Sequence, residues 1–97
     1  MEKEEMIPID QCCTHYKIEL TFVQSLQEAG LLNIVIMEEK NYLSHDELGN
    51  LEKFIRLHHD LNINTEGIEA INYMLERMEA LQLEITRLKN QLAIYEQ

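Results

Sequence analysis

The apolar positions change period several times along the chain, and each change marks an element. Ile9, Cys12, Cys13 and Tyr16 lie on one side of a short helix predicted over residues 11–16, with Asp10 as its N-cap just after the only proline, Pro8. "KIEL" turns the chain. Phe22, Val23 and Leu26 then form the inner stripe of a second helix over residues 21–29, and Gly30 supplies a left-handed stop. "LLNIVIM" and "NYLS" are short, rich in strand-forming residues and separated by "EEKN", so they predict a small hairpin. Ser44 and Glu47 have the spacing of a capping box. The helix that follows, to about residue 60, turns Leu48, Leu51, Ile55 and His58 to one side. Residues 1–6 are charged and are expected to fray.

The last segment has a different signature. Asn64 is a good N-cap, Glu66 suits the positive end of a helix dipole, and no proline interrupts the chain afterwards. Ile71, Met78, Ile85 and Leu92 alternate with Met74, Leu81, Leu88 and Tyr95 at spacings of three and four. That is a heptad seam, which a lone helix leaves in water. It predicts association with a second helix, most simply in a homodimer. Ile68 and Leu75 lie off the seam and are expected to pack locally. The few charges at flanking positions do not set the direction of pairing. The chain therefore divides into a helix-turn-helix with a wing over residues 1–62 and a dimerisation helix over residues 63–97, a mainly α fold.

Charge changes how this layout is read. The protein has 97 residues, with 18 acidic against 8 basic side chains and a net charge of −10. Residues 7–62 alone carry nine acids and four bases, Lys17, Lys40, Lys53 and Arg56. A helix-turn-helix of that charge is repelled by phosphate backbones and anionic lipids and is steered toward basic partners. The start "MEKEEMIPI" has no basic stretch leading into an apolar core, so no secretory leader is expected. No apolar run approaches the roughly 18 residues of a membrane span. The cytoplasm is the expected address.

Catalytic chemistry finds little support. Cys12, Cys13 and His15, with His58 and His59, are the residue types of a metal site. However, adjacent cysteines on a helix diverge by about 100° instead of converging as ligands two to four residues apart do. The cysteines are expected to be small buried side chains, His58 a hydrogen-bonded core residue, and His59 partly exposed beside Asp60. There is no glycine-rich phosphate loop and no nucleophile elbow. Neither catalytic residues, nor a metal, nor a cofactor is expected.

Helix, turn, helix, wing, helix and long coiled-coil helix is the layout of the MerR-type winged helix-turn-helix, which this sequence resembles. Aligned on "GLL" (residues 30–32), the DNA-binding members carry arginines where this chain has Gln24 and Glu28, and paired aromatics where it has Ser25 and Leu26. Their basic, proline-containing wing is "NIVIMEEKNYLS" here. The sequence is more similar to the CbpM-type chaperone modulators, over most of its length from about Ile9 to Leu92. The similarity rests on "CTHYKI", "FVQSLQEAGLL", "RLHHDLNINTEGIEAI" and "EITRLKNQL". One departure is Asn64, where an aspartate is usual; it caps nearly as well.

That resemblance implies binding to the J-domain of a DnaJ-like co-chaperone of the CbpA type. It also implies inhibition by covering the basic surface that engages DnaK. An acidic module suits such a surface by complementary charge. The candidate partner-facing residues lie on the second helix and wing. Glu19, Glu28, Glu38 and Glu39 would steer, Leu20 and Ile36 would anchor, and Gln24 stands between them. Each acid also has a plainer reading, as part of a solvated face. The competing function is a MerR-like DNA-binding transcription regulator, for which a dimer would have to gather Lys17, Lys40, Lys53 and Arg56 on one face.

Overall fold

The computed structural model describes residues 5–96. Its elements are β1 (Met6–Pro8), α1 (Ile9–Tyr16), α2 (Leu20–Glu28), β2 (Ile34–Met37), β3 (Lys40–Ser44), a 3-10 turn (His45–Glu47), α3 (Leu48–Leu61) and α4 (Thr65–Tyr95). The fold is a mainly helical winged helix-turn-helix with a long C-terminal helix, as the periodicity predicts.

The wing holds one strand more than the sequence suggests. β3 is central in an antiparallel sheet of order β1-β3-β2, with Ile7 opposite Leu43 on one side and Ile34 opposite Leu43 on the other. Met6, expected to fray, is therefore paired with Ser44, and the His45 N–H donates to the Glu5 carbonyl at 2.9 Å. Residues 1–4 of that expectation lie outside the described residues. A three-residue strand with a proline at its end has almost no local signal, and pairing with β3 alone creates it.

The helix boundaries follow local backbone chemistry. Pro8, with φ −58° and no N–H to satisfy, is the N-cap of α1, and Asp10 sits in the first turn instead of capping it. Lys17 closes α1 in the left-handed region at φ 58°, its N–H donating to the Cys13 carbonyl. α2 runs one residue earlier than expected, and Gly30 at φ 80° ends the helical turn that follows it. The Ser44 hydroxyl accepts from the Asp46 N–H at 3.2 Å, opening the 3-10 turn ahead of α3. Asn64 caps α4, its side-chain oxygen accepting from the Gly67 N–H at 2.9 Å.

The core lies where the sheet, α2, α3 and the start of α4 meet. Leu26, Leu43, Leu51 and Ile68 have no exposed surface, and Phe54 is nearly as buried. Truncating one such leucine to alanine removes about 2–5 kcal/mol, through lost transfer energy and the cavity left behind. Phe54 is absent from the expected α3 stripe, yet it is the largest fully buried side chain. α3 packs on α4 as well as on the winged domain. Its buried face is therefore wider than the stripe through Leu48, Leu51, Ile55 and His58, and Phe54 sits in the middle of it.

α4 joins this core only at its start. Ile68 is fully buried and Ile71 and Asn72 partly so, and from Tyr73 onward the helix lies open to solvent. Leu75, expected to fold back, is 42% exposed over the cleft that Leu31 and Phe54 line. Along the seam, Met74, Met78, Leu81, Ile85, Leu88, Leu92 and Tyr95 are between 45% and 85% exposed.

Candidate functional site

The partner-facing candidates occupy α2 and the wing, and the fold gathers them unequally. Phe22, Val23 and Leu26 take the buried side of α2, so Leu20, Gln24 and Glu28, spaced four apart, fall on its outer side. All three are exposed, and Leu20 shows 42% of its surface. α2 contains no lysine or arginine, so its outer face offers an apolar side chain, an amide and a carboxylate, and no cation for a phosphate.

Leu20 stands at the mouth of a groove of about 360 Å³ between the α1–β1 junction, α2 and the wing. Pro8, Asp10, Glu39, Lys40, Asn41 and Tyr42 line the rest, with Ile9 at the base. Leu20 and Glu39 thus share one concave surface. Asp10, read from sequence as a helix cap, adds a second carboxylate to the groove. Nothing local marks Asp10, Asn41 or Tyr42 as groove residues, because β1 and β3 must pair before Pro8 and Tyr42 face one another.

The wing turn has unusual backbone geometry. Met37 pairs with Lys40, leaving Glu38 and Glu39 as a two-residue loop with φ of 51° and 66°. Two positive φ values in succession match the type I′ turn, whose twist suits a hairpin and whose usual residues are asparagine and glycine. Two exposed glutamates in that conformation cost about 1–2 kcal/mol each relative to residues that tolerate it. Ile36 precedes them on β2 with 69% of its surface in water, and Met37 is 39% exposed.

Glu19 lies elsewhere. As N-cap residue of α2 it lines a separate groove with Lys17, Ile18, Phe22, His58 and His59. Its carboxylate accepts from the Thr21 hydroxyl at 3.3 Å. In that groove the His58 ring stacks on Phe22, with centroids 4.6 Å apart and planes 24° from parallel. His58 Nδ1 lies 3.0 Å from the Ile63 carbonyl. A carbonyl only accepts, so that nitrogen carries the proton. His58 is the partly buried, hydrogen-bonded core histidine expected, and His59 is exposed.

Cys12 is buried and Cys13 partly so. Burial pushes both thiols above their ordinary range, reinforced at Cys12 by Cys13 and at Cys13 by Asp10. Raised thiols are poor nucleophiles and poor metal ligands at neutral pH. Among the described residues, no group of three or more histidines, cysteines and carboxylates is placed to hold a metal ion.

Polar pairs missed by sequence reading tie the helices together around this surface. The Tyr16 hydroxyl donates to Glu52 at 2.6 Å, linking α1 to α3 and pushing the tyrosine up to about 12. Ser25 and Thr65 share a hydroxyl hydrogen bond of 2.8 Å between α2 and the start of α4. Lys53 donates to Asn72 at 3.1 Å across the α3–α4 cleft. Such pairs join residues 19 to 40 positions apart, and no short motif announces them.

A family model described as MerR HTH family regulatory protein matches residues 7–90. Comparison with curated proteins and with solved structures yields no match. Among the described residues, no helix is long and apolar enough to cross a membrane.

Proposed function

This chain belongs to the MerR helix-turn-helix family, and from that premise we propose that it uses the fold to bind a basic protein surface instead of DNA. The partner is the J-domain of a DnaJ-like co-chaperone of the CbpA type, and this protein is a CbpM-type modulator of it. The observation that carries the reading is the outer face of α2 with the wing turn. Leu20, Gln24, Glu28, Glu38 and Glu39 are all exposed, and α2 holds no base. Carboxylates there raise the encounter rate with a cationic helix, and desolvated Leu20 and Ile36 supply anchoring energy. Occupying the basic surface of the J-domain excludes DnaK and so restrains the co-chaperone.

The exposed heptad seam of α4 supports a homodimer. Seven exposed leucine, isoleucine, methionine and tyrosine side chains along one stripe make a poor terminal state for a helix in water, and a second copy buries the same stripe at no cost in new sequence. Dimerisation also places two acidic surfaces on one particle.

The family's DNA-binding mode is the competing reading, and the charge balance of residues 7–62, nine acids against four bases, speaks against it. Of those bases Lys53 is engaged with Asn72 and Phe54, while Lys17, Lys40 and Arg56 are exposed. Calorimetric titration of the protein with the J-domain of its own host's DnaJ-like protein, at low and at high salt, tests the proposal. The expected result is saturable, micromolar or tighter binding that weakens with salt and falls at least tenfold in Glu28→Lys with Glu39→Lys. Absence of any complex at either salt, with selection of a duplex DNA sequence by the same sample, would overturn it.

A further inference from the structure

Every open sheet ends in strands whose outer N–H and C=O groups have no partner within the sheet, and proteins usually guard these edges with prolines, lysines or bulges. The two edges of this sheet are unequal. β1 is three residues long and ends in Pro8. β2 reads Ile34–Met37 with sequence IVIM, and it contains neither a proline nor a charge.

The hairpin register says which backbone groups of β2 are free. The two-residue turn closes on Met37 and Lys40, which makes them a hydrogen-bonded pair. Hydrogen-bonded and non-hydrogen-bonded pairs alternate in an antiparallel ladder, so Val35 bonds to Tyr42, while the N–H and C=O of Ile34 and Ile36 face away from β3. Outside the ladder, no hydrogen bond joins the backbone of Ile34 or Ile36 to any other described residue. Ile36 is 69% exposed on one face of the strand, Met37 39% exposed on the other, and Glu38 and Glu39 stand exposed at its end.

We propose that β2 is a docking edge for an extended segment of a partner protein, one that alternates apolar and basic residues and adds a fourth strand beside Ile34–Met37. Backbone bonds to Ile34 and Ile36 supply the pairing, Ile36 and Met37 supply apolar contact on both faces, and the carboxylates of Glu38 and Glu39 select a lysine or arginine at the end of the incoming strand. Charge sets the choice of occupant. A second copy pairing β2 with β2 would bring residues 30–37 against the turn, and that stretch has no lysine or arginine to meet the two glutamates. The docking edge shares Ile36, Glu38 and Glu39 with the surface proposed above for the J-domain, but it rests on the free backbone of β2 and not on that reading, and its test uses no J-domain.

The probe is a synthetic hexapeptide of alternating lysine and valine. Its controls are the glutamate-for-lysine analogue and a version N-methylated at every peptide bond, which has no backbone donor on either edge and cannot complete a ladder. The readout is amide chemical shift and hydrogen exchange in the ¹⁵N-labelled protein. The expected result is saturable shifts confined to residues 33–40 and at least tenfold slower exchange at Ile34 and Ile36. N-methylation should abolish both. Ile36→Pro should also abolish binding, because it removes an outward N–H while sparing the Val35 and Met37 bonds, with the Leu43 signals showing an intact hairpin. Should the proline variant lose the hairpin, Ile36→Lys takes its place, and its added cation should weaken the peptide at least tenfold. Several outcomes would each overturn the proposal. They are no binding at millimolar peptide, binding indifferent to N-methylation, shifts mapping to α2 or α4, or protection of Ile34 and Ile36 that rises with protein concentration alone. The last would assign the edge to a second copy.

Discussion

Replacing Glu38-Glu39 by Asn-Gly should make the protein more stable and a worse binder, two effects of opposite sign from one change. Both glutamates have positive φ, 51° and 66°. The left-handed region costs an ordinary L-residue about 1–2 kcal/mol, because Cβ crowds the following carbonyl. Glycine at position 39 removes that strain and returns about 0.5–1 kcal/mol of it through the greater freedom of its unfolded chain. Asparagine at position 38 relieves part of the rest, since its short side chain tolerates this conformation. The expected net gain is about 1–2 kcal/mol. In a domain of this size each kcal/mol raises Tm by about 4–8 °C. Thermal unfolding followed by circular dichroism, at one fixed protein concentration because a dimer's Tm depends on it, reads the gain. Glu38→Gln with Glu39→Gln is the matched control. It removes the charge and leaves the backbone demand in place, so Tm should barely move while affinity for a basic partner drops as far as in Asn-Gly. A Tm unchanged or lowered in Asn-Gly, with the β2–β3 pairing intact, would refute the claim that this turn holds strain. Unchanged partner affinity in both variants would refute its role in recognition.

The two helical glycines should respond oppositely to alanine. Gly49→Ala meets open space in α3 and should stabilise by about 0.5–1 kcal/mol in urea unfolding, the ordinary helix-propensity gain. Gly67→Ala would set its Cβ 2.6 Å from Ile63 Cγ2 and 3.3 Å from the capping Asn64 oxygen, so the same gain should be reversed into a net loss; a stabilised Gly67→Ala would sink the packing argument. Leu81→Glu, in the middle of the exposed seam, should give monomers in sedimentation velocity runs where the parent sediments as a dimer, with far-UV helicity reduced in α4 alone. The Tyr16–Glu52 hydrogen bond holds the neutral phenol, raising it from 10.0 to about 12. Its contribution is therefore complete below pH 10 and lost as pH rises toward 12. Denaturation midpoints should fall across that window in the parent and stay flatter in Tyr16→Phe, and equal slopes would show that the pair carries no linkage.

What was legible from sequence had short-range causes. Gly30 stops a helical turn because its own φ is 80°, and Asn64 caps α4 because its oxygen reaches an N–H three residues on. The heptad seam is likewise written at spacings of three and four, which is why a helix running to Tyr95 with one apolar stripe is predictable before any packing is known. The acidic balance needs only counting. The features that tertiary structure decided all join residues distant in the chain. β1 exists because β3 offers Met6, Ile7 and Pro8 a ladder. Phe54 is buried because α4 returns across α3 and widens its covered face, a width that one helix's periodicity cannot register. His58 is oriented by Phe22 on one side and the Ile63 carbonyl on the other. Leu20 and Glu39 meet in one groove only once the wing folds beside α2, while Glu19, the neighbour of Leu20 in sequence, turns into a different groove. Periodicity and caps act over one turn of backbone and are therefore readable along the chain. A surface is assembled from segments separated by loops, and which side chains share it follows from packing the core.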